Sequence, residues 1–234
     1  MSPSVPILHE TLSRLWTLDR DVLAIAWLSL RVSLTAVSIG LLFGIPLGAL
    51  VAVARFPGRG AVAGLLNAFM GLPPVIVGLV LYLVLSRSGP LGPLGLLFTP
   101  AAMVAAQATL ATPLVAALTR QVVSDAQVHL GEQLRSLGLS APRQAGILIY
   151  DVRFSLVTAA LAAFGRAISE IGAVLVVGGN IDGHTRTMTT AISLETQKGD
   201  LSLALALGLV LMSLVVVVNA AAALLRGHAA RAYG

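Results

Sequence analysis

The sequence predicts an all-α, polytopic membrane protein of about five transmembrane helices, with a helix-turn-helix between the third and fourth spans. Three observations predict it. Hydrophobic types make up 57% of the 234 residues and charged types 11%, and mean hydropathy is +0.92; a soluble domain carries about 45–50% apolar and about 25% charged residues. Four uncharged runs of 23–26 residues each exceed the roughly 20 apolar residues that a membrane helix needs. Clusters of Gly, Pro and Ser punctuate those runs. So little charge cannot coat a globular surface, which excludes an ordinary soluble enzyme, a disordered chain and most nucleic-acid-binding domains. The net charge of +5 is spread over loops, and basic loops are expected of a membrane protein. Cysteine is absent, so there is no disulfide framework, thiol nucleophile or thiolate metal site.

The elements follow in order. Residues 1–31 form an N-terminal interfacial segment. Glu10, Asp19 and Asp21 interrupt any signal-peptide core. Residues 22–31 read as an interfacial helix, with Trp16 and Trp27 suited to the headgroup zone. The transmembrane domain then covers 32–225. Its first span, 32–54, closes at Arg55-Phe56-Pro57-Gly58, and a stretch rich in Gly and Pro over 88–93 separates the second span, 61–86, from the third, 96–119. The fourth, 154–179, carries Arg166 and Glu170; the fifth, 201–225, leads into a basic tail at 226–234. Pro46, Pro73, Pro74 and Pro113 fall inside spans. Each removes a donor and kinks its helix, either as a packing kink or where a wet pathway covers the break.

Alternating the joints puts Arg55, Arg59, Arg120, Arg135, Arg143, Arg153, Arg226 and Arg231 on one side. Arg14, Arg20, Arg31, Arg87, Arg186 and Lys198 fall on the other. The first three of these drop out if the N-terminal segment lies in the interface. The positive-inside bias then makes loop 120–153 and the C-terminus cytoplasmic and the N-terminus external. Within that loop, Val123–Leu137 has helical apolar spacing, Gly138 can end the helix in the left-handed conformation, and Ser140 can cap a second helix with Pro142 in its first turn. Two short helices around a glycine elbow make a knob that another protein can grip.

In the fourth span Arg166 and Glu170 stand four apart, so they share a helix face. They serve as an internal ion pair that fixes packing, or as a gate element. Gly178-Gly179-Asn180 end that helix, and the hydroxyl-rich segment 187–196 follows as a short helix or a partly inserted segment. Its hydroxyls, backbone amides and Arg186 suit brief contact with an oxyanion; a plain connecting loop is the other reading. His184 has no second His at ligand spacing, so no metal site is expected.

The stretch Glu132-Gln133-Leu134-Arg135-Ser136-Leu137-Gly138, with Leu148 beyond it, resembles the coupling (EAA) loop of ATP-binding-cassette importer permeases, E-A-A-x-x-x-G-x9-I-x-L-P. Gln133 and Leu134 stand where that pattern has alanines, and Tyr150-Asp151 where it has Leu-Pro. Residues 167–174 (AISEIGAV) resemble the segment shared by molybdate, sulfate and tungstate permeases, and 178–200 are most similar to the tungstate type. The resemblance covers roughly 30–225. It implies a homodimeric permease subunit of an importer for a tetrahedral oxyanion, closest to tungstate, in the inner membrane. It implies a separate ATPase subunit that uses ATP and Mg and an extracytoplasmic substrate-binding protein, with no cofactor on this chain and no nucleic acid. The implied coupling residues are Glu132, Arg135, Leu137, Gly138, Ser140 and Leu148. The pathway or gate candidates are Pro73, Pro74, Arg166, Ser169, Glu170, Gly172, Gly179, Asn180, Arg186, Thr189 and Thr190.

The chain has no G-x-x-x-x-G-K-[ST] phosphate loop, so it is not expected to be an enzyme that hydrolyses ATP by that route. A molybdate or sulfate permease is the alternative within the class. An ion-coupled secondary transporter is the alternative from another class, but carriers of that kind usually show inverted repeats and intramembrane acids, and here only Glu170 is available. A membrane enzyme would need converging nucleophile, base or metal ligands, which the sequence does not offer.

Overall fold

The computed structural model describes residues 11 and 20–233; side chains of 20, 21, 222 and 225–233 are outside the description, as is Trp16. All the regular structure among the described residues is helical. In chain order it runs α1 (Arg20–Val53), α2 (Arg59–Met70), α3 (Pro74–Leu85), a 3-10 turn (Gly92–Leu94), α4 (Pro100–Ser136), α5 (Ala141–Asp151), α6 (Arg153–Ile168), α7 (Gly172–Gly178), α8 (Met188–Lys198) and α9 (Leu201–Tyr233). Three helices are long and apolar enough to cross a membrane, and up to five crossings result if each bent helix pair counts as one.

The first and third crossings are longer than expected. Residues 22–31 lead into the first span without a break, as part of one helix of 34 residues. Ser29 and Val32 are buried at the junction, so packing holds the helix together there, while Trp27 is 67% exposed. The expected short helix Val123–Leu137 is likewise the end of α4, which runs unbroken for 37 residues through Pro113. Thr99 starts α4 by accepting a bond from the Ala102 amide.

The second crossing and the expected fourth span both break. α2 and α3 meet at 96° across Gly71-Leu72-Pro73. Pro73 biases Leu72 away from the helical region, and Pro74 restarts the helix at its first position, where no donor is needed. The span expected over 154–179 is not one helix: α6 stops at Ile168 and α7 starts at Gly172. There the Ser169 hydroxyl donates to the Gly165 carbonyl at 2.8 Å, a side-chain bond of the kind that competes with helix continuation. The bent pair that counts as the fourth crossing is α5 with α6, which meet at 80°.

The frame is the α1–α4 pair. Gly40, Gly44 and Gly48 repeat every four residues along one face of α1. A Cβ placed on Gly44 would lie 2.8 Å from the Thr112 oxygen and the Val115 Cβ, and one on Gly48 would lie 2.2 Å from the Ala116 oxygen. Bare backbone is therefore required along this seam, where small residues let two membrane helices approach closely. One core cluster joins α1, α3, α4 and α7 through Val32, Val77, Met103, Ala173 and Val177. Another joins the far ends of α1 and α4 to α5 and α6 through Ala52, Val123, Leu134, Leu148 and Leu156. The Phe98 amide donates to the Val177 carbonyl at 2.9 Å and the Met188 amide to Ser29 at 2.8 Å. These bonds bring the start of α1, the 86–99 connection and the 179–187 connection to one end of the bundle. The elbow after α4 lies at the other end, where Arg59 Nε donates to the Val51 carbonyl at 2.9 Å and Nη2 to that of Ala52, capping α1.

Gly48→Ala should destabilise the purified protein by about 1–3 kcal/mol, as overpacked cores do. Gly64→Ala, in α2 with nothing within 4 Å of the new Cβ, should be neutral or stabilising by up to about 1 kcal/mol. Thermal unfolding in detergent, the two variants side by side, checks this.

Candidate functional site

Two regions gather the residues singled out by sequence. The first is the elbow at 137–141. Gly138 has φ +67 with open space around it, and its amide donates to the Arg135 carbonyl at 2.9 Å. Glycine takes this left-handed conformation without penalty. Ser140 occupies the N-cap position of α5, but its side chain makes no capping bond; Gln144 Nε2 instead donates to the Leu139 carbonyl at 2.7 Å and braces the turn. Leu148 is fully buried against the ends of α1, α4 and α6. Glu132, Arg135, Gly138 and Ser140 are exposed, as is Leu137 at 71%. The elbow is thus anchored on its inner side and bare on its outer side. Arg153 stacks over Tyr150 and Phe154, at 4.2 and 4.5 Å from the ring centroids, where the chain turns into α6.

The second region is the break between α6 and α7. Because α6 ends at Ile168, Arg166 and Glu170 do not share a continuous helix face, and the expected ion pair does not form. Glu170 Oε1 instead accepts from the Ala173 amide at 3.3 Å in the first turn of α7. The Glu170 carbonyl accepts from the Thr189 hydroxyl at 3.0 Å. Gly172 sits beside the start of α3, where a Cβ would meet Val75 Cγ2 at 2.7 Å, and Gly78 abuts Ala173. The break of the second crossing and the break between α6 and α7 therefore face each other. Pro73, Pro74, Arg166, Ser169, Glu170, Gly172 and Thr189 converge there.

Gly179, Asn180 and Arg186 stand apart from it, at the end of the bundle where the 86–99 and 179–187 connections meet. Gly179 (φ +70) packs under the Phe98 ring and Asn180 turns at φ +50. Arg186 pairs with Asp182 at 2.8 Å and, with His184, lines a recess of about 130 Å³. A wider cleft of about 610 Å³ opens nearby between Tyr82, Arg87 and Phe98. Thr190 belongs to the capping box that starts α8 with Thr187. The hydroxyls of the 187–196 segment are thus engaged by the protein itself. No group of three His, Asp or Glu residues placed to hold a metal occurs among the described residues.

Sequence reasoning missed Gln107 and Gln144. Gln107 is 3% exposed, and its Nε2 donates to the Ala167 carbonyl at 2.8 Å, tying α4 to the last turn of α6. A lone amide in an otherwise apolar span was the available signal. Gln107→Leu should cost about 1–3 kcal/mol, the range for leaving a buried acceptor unpaired. Glu170→Gln keeps an acceptor for Ala173 and should stay within about 1 kcal/mol. Unfolding midpoints of the two variants check both values; the reverse order would restore the Arg166–Glu170 ion pair.

Comparison with known proteins is consistent with this geometry. Residues 44–230 match the family model described as the binding-protein-dependent transport system inner membrane component. The chain is 42% identical over 210 residues to a probable anion ABC transporter permease protein of Haloferax volcanii, covering 88% of this chain and 90% of that protein. It is 40% identical over 202 residues to the tungstate uptake system permease protein TupB of Peptoclostridium acidaminophilum, covering 86% and 89%. In fold it is similar to a chain of the MetNI methionine ABC transporter in an inward-facing conformation, with TM-score 0.71 and 20% identity over 92% of this chain and 97% of that one. The match over most of its length settles the kinship: the chain belongs to the binding-protein-dependent transport system inner membrane component family.

Proposed function

We propose that this chain is the permease subunit of an ATP-driven importer for a tetrahedral oxyanion, tungstate, in the cell membrane. Two copies line the pathway, a separate ATPase grips the elbow at 137–141 from the cytoplasm, and an external binding protein delivers the anion at the end formed by the 86–99 and 179–187 connections. The N-terminus lies outside and the C-terminus inside. The single observation that carries the coupling role is the elbow itself. A glycine in the left-handed conformation, braced by Gln144 and anchored by Leu148, holds Glu132, Arg135 and Leu137 bare at the tip of a helix that runs the length of the bundle. Motion applied there passes along α4 to Gln107 and hence to the break between α6 and α7. Support for tungstate comes from the TupB relative of Peptoclostridium acidaminophilum, 40% identical over 202 residues.

The break supports a transient contact with an anion. Arg166 supplies positive charge and Glu170 beside it prevents that charge from trapping a dianion, so release stays fast. Energy comes from the partner, since no phosphate loop is present on this chain.

Proteoliposomes containing the chain, its ATPase and tungstate-loaded binding protein should take up tungstate only with ATP. Gly138→Val, a β-branched residue forced to φ +67, should lower uptake at least about tenfold, because strain of only about 1–2 kcal/mol displaces the elbow from its partner. Uptake that follows an ion gradient and ignores ATP would contradict the importer. Preference for molybdate or sulfate over tungstate would overturn the substrate alone.

A further inference from the structure

We infer that one buried water molecule bridges Gln107 and Arg166 at the break between α6 and α7 and ties α4 to the end of α6. Gln107 Nε2 donates to the Ala167 carbonyl at 2.8 Å. A carbonyl only accepts, so this bond fixes the orientation of the amide and leaves Oε1 as its free acceptor. Gln107 Oε1 is buried and has no hydrogen-bond partner among the described residues; the same holds for Arg166 Nε. Buried polar atoms rarely go unsatisfied. Both side chains, with Glu170 and four apolar residues that include Ala163, line one small cavity of about 10 Å³. That is close to the space one water molecule needs, about 10–15 Å³ by the same measure, provided two or more polar partners face it.

The chemistry of the two orphaned atoms selects the occupant. Gln107 Oε1 only accepts and Arg166 Nε–H only donates. A metal cation offers no lone pair to Arg166. An oxyanion offers no proton to Gln107 and meets the Glu170 carboxyl on the same cavity wall. Water accepts from Arg166, donates to Gln107, and finds in Glu170 an acceptor for its second proton. The bonded path from the Ala167 carbonyl through Gln107 and water to Arg166 closes a ring over the last turn of α6. With it in place, that turn cannot slide along α4 without breaking two links.

The assembled transporter in lipid nanodiscs, imaged at a resolution that shows ordered water, should carry a density peak about 2.7–3.2 Å from both Gln107 Oε1 and Arg166 Nε. A map that resolves other buried waters and lacks this peak overturns the inference. Two variants of a residue lining the cavity supply an independent readout. Ala163→Ser places a hydroxyl where the water sits and should keep the unfolding midpoint within about 2 °C, whereas Ala163→Cys, similar in size and a poor hydrogen-bonder, should lower it by at least about 4 °C. Equal midpoints for the two variants count against the bridge.

Discussion

The seam between α1 and α4 sets the rest of the structure. In lipid the hydrophobic effect does not drive helices together, so association depends on close contact between atoms and on interhelical hydrogen bonds. Gly40, Gly44 and Gly48 let the α1 backbone approach the Ala111–Ala116 stretch of α4 more closely than any Cβ would permit. That contact fixes α4 as the axis of the bundle. Gln107, at the break between α6 and α7, and Ser136, at the elbow, lie on the same unbroken helix, about 44 Å apart at 1.5 Å per residue. One continuous helix joins the two regions most concerned with function, and the glycine seam holds it against α1.

The polar groups at membrane depth are few and mostly committed. Thr187, Thr189 and Thr190 build the start of α8 and hold the Glu170 carbonyl. Gln107 holds the carbonyl of Ala167, and Glu170 accepts the Ala173 amide of α7. These bonds satisfy the backbone exposed at the break between α6 and α7, which is how lipid tolerates such a break. Arg166 Nε and Gln107 Oε1 are among the buried polar atoms that have no protein partner among the described residues. The chain thus spends many of its neutral hydrogen-bonding groups on structure and places Arg166 and Gln107 together where the broken helix ends.

The fold class and the glycine elbow were legible because they rest on local signals. Run length marks the apolar helices, and Gly138 needs only its own φ to declare the turn. The places that escaped depend on partners distant in sequence. Arg166 and Glu170 read as a pair because spacing assumes a continuous helix, and nothing local announces that α6 stops at Ile168. Residues 22–31 read as an interfacial helix leading into the first span; that Ser29 and Val32 are buried against other helices is invisible in the segment itself. The hydroxyls of 187–196 read either as oxyanion contacts or as a plain connection, because their acceptors, 19 residues away in the case of Thr189, cannot be seen from the segment itself. Gln107 was one amide in an apolar run, and its importance appears only when Ala167, 60 residues on, is placed beside it.

The central claim is that the elbow is the handle by which a nucleotide-hydrolysing partner moves the bundle. The chain has no native cysteine, so a single introduced thiol reports one place without background. In the assembled transporter, a short bifunctional crosslinker on Leu137→Cys should join this chain to the ATPase in high yield, and the same reagent on Leu91→Cys, at the opposite end, should not. Crosslinking to the ATPase from position 91 and none from position 137 would contradict the account.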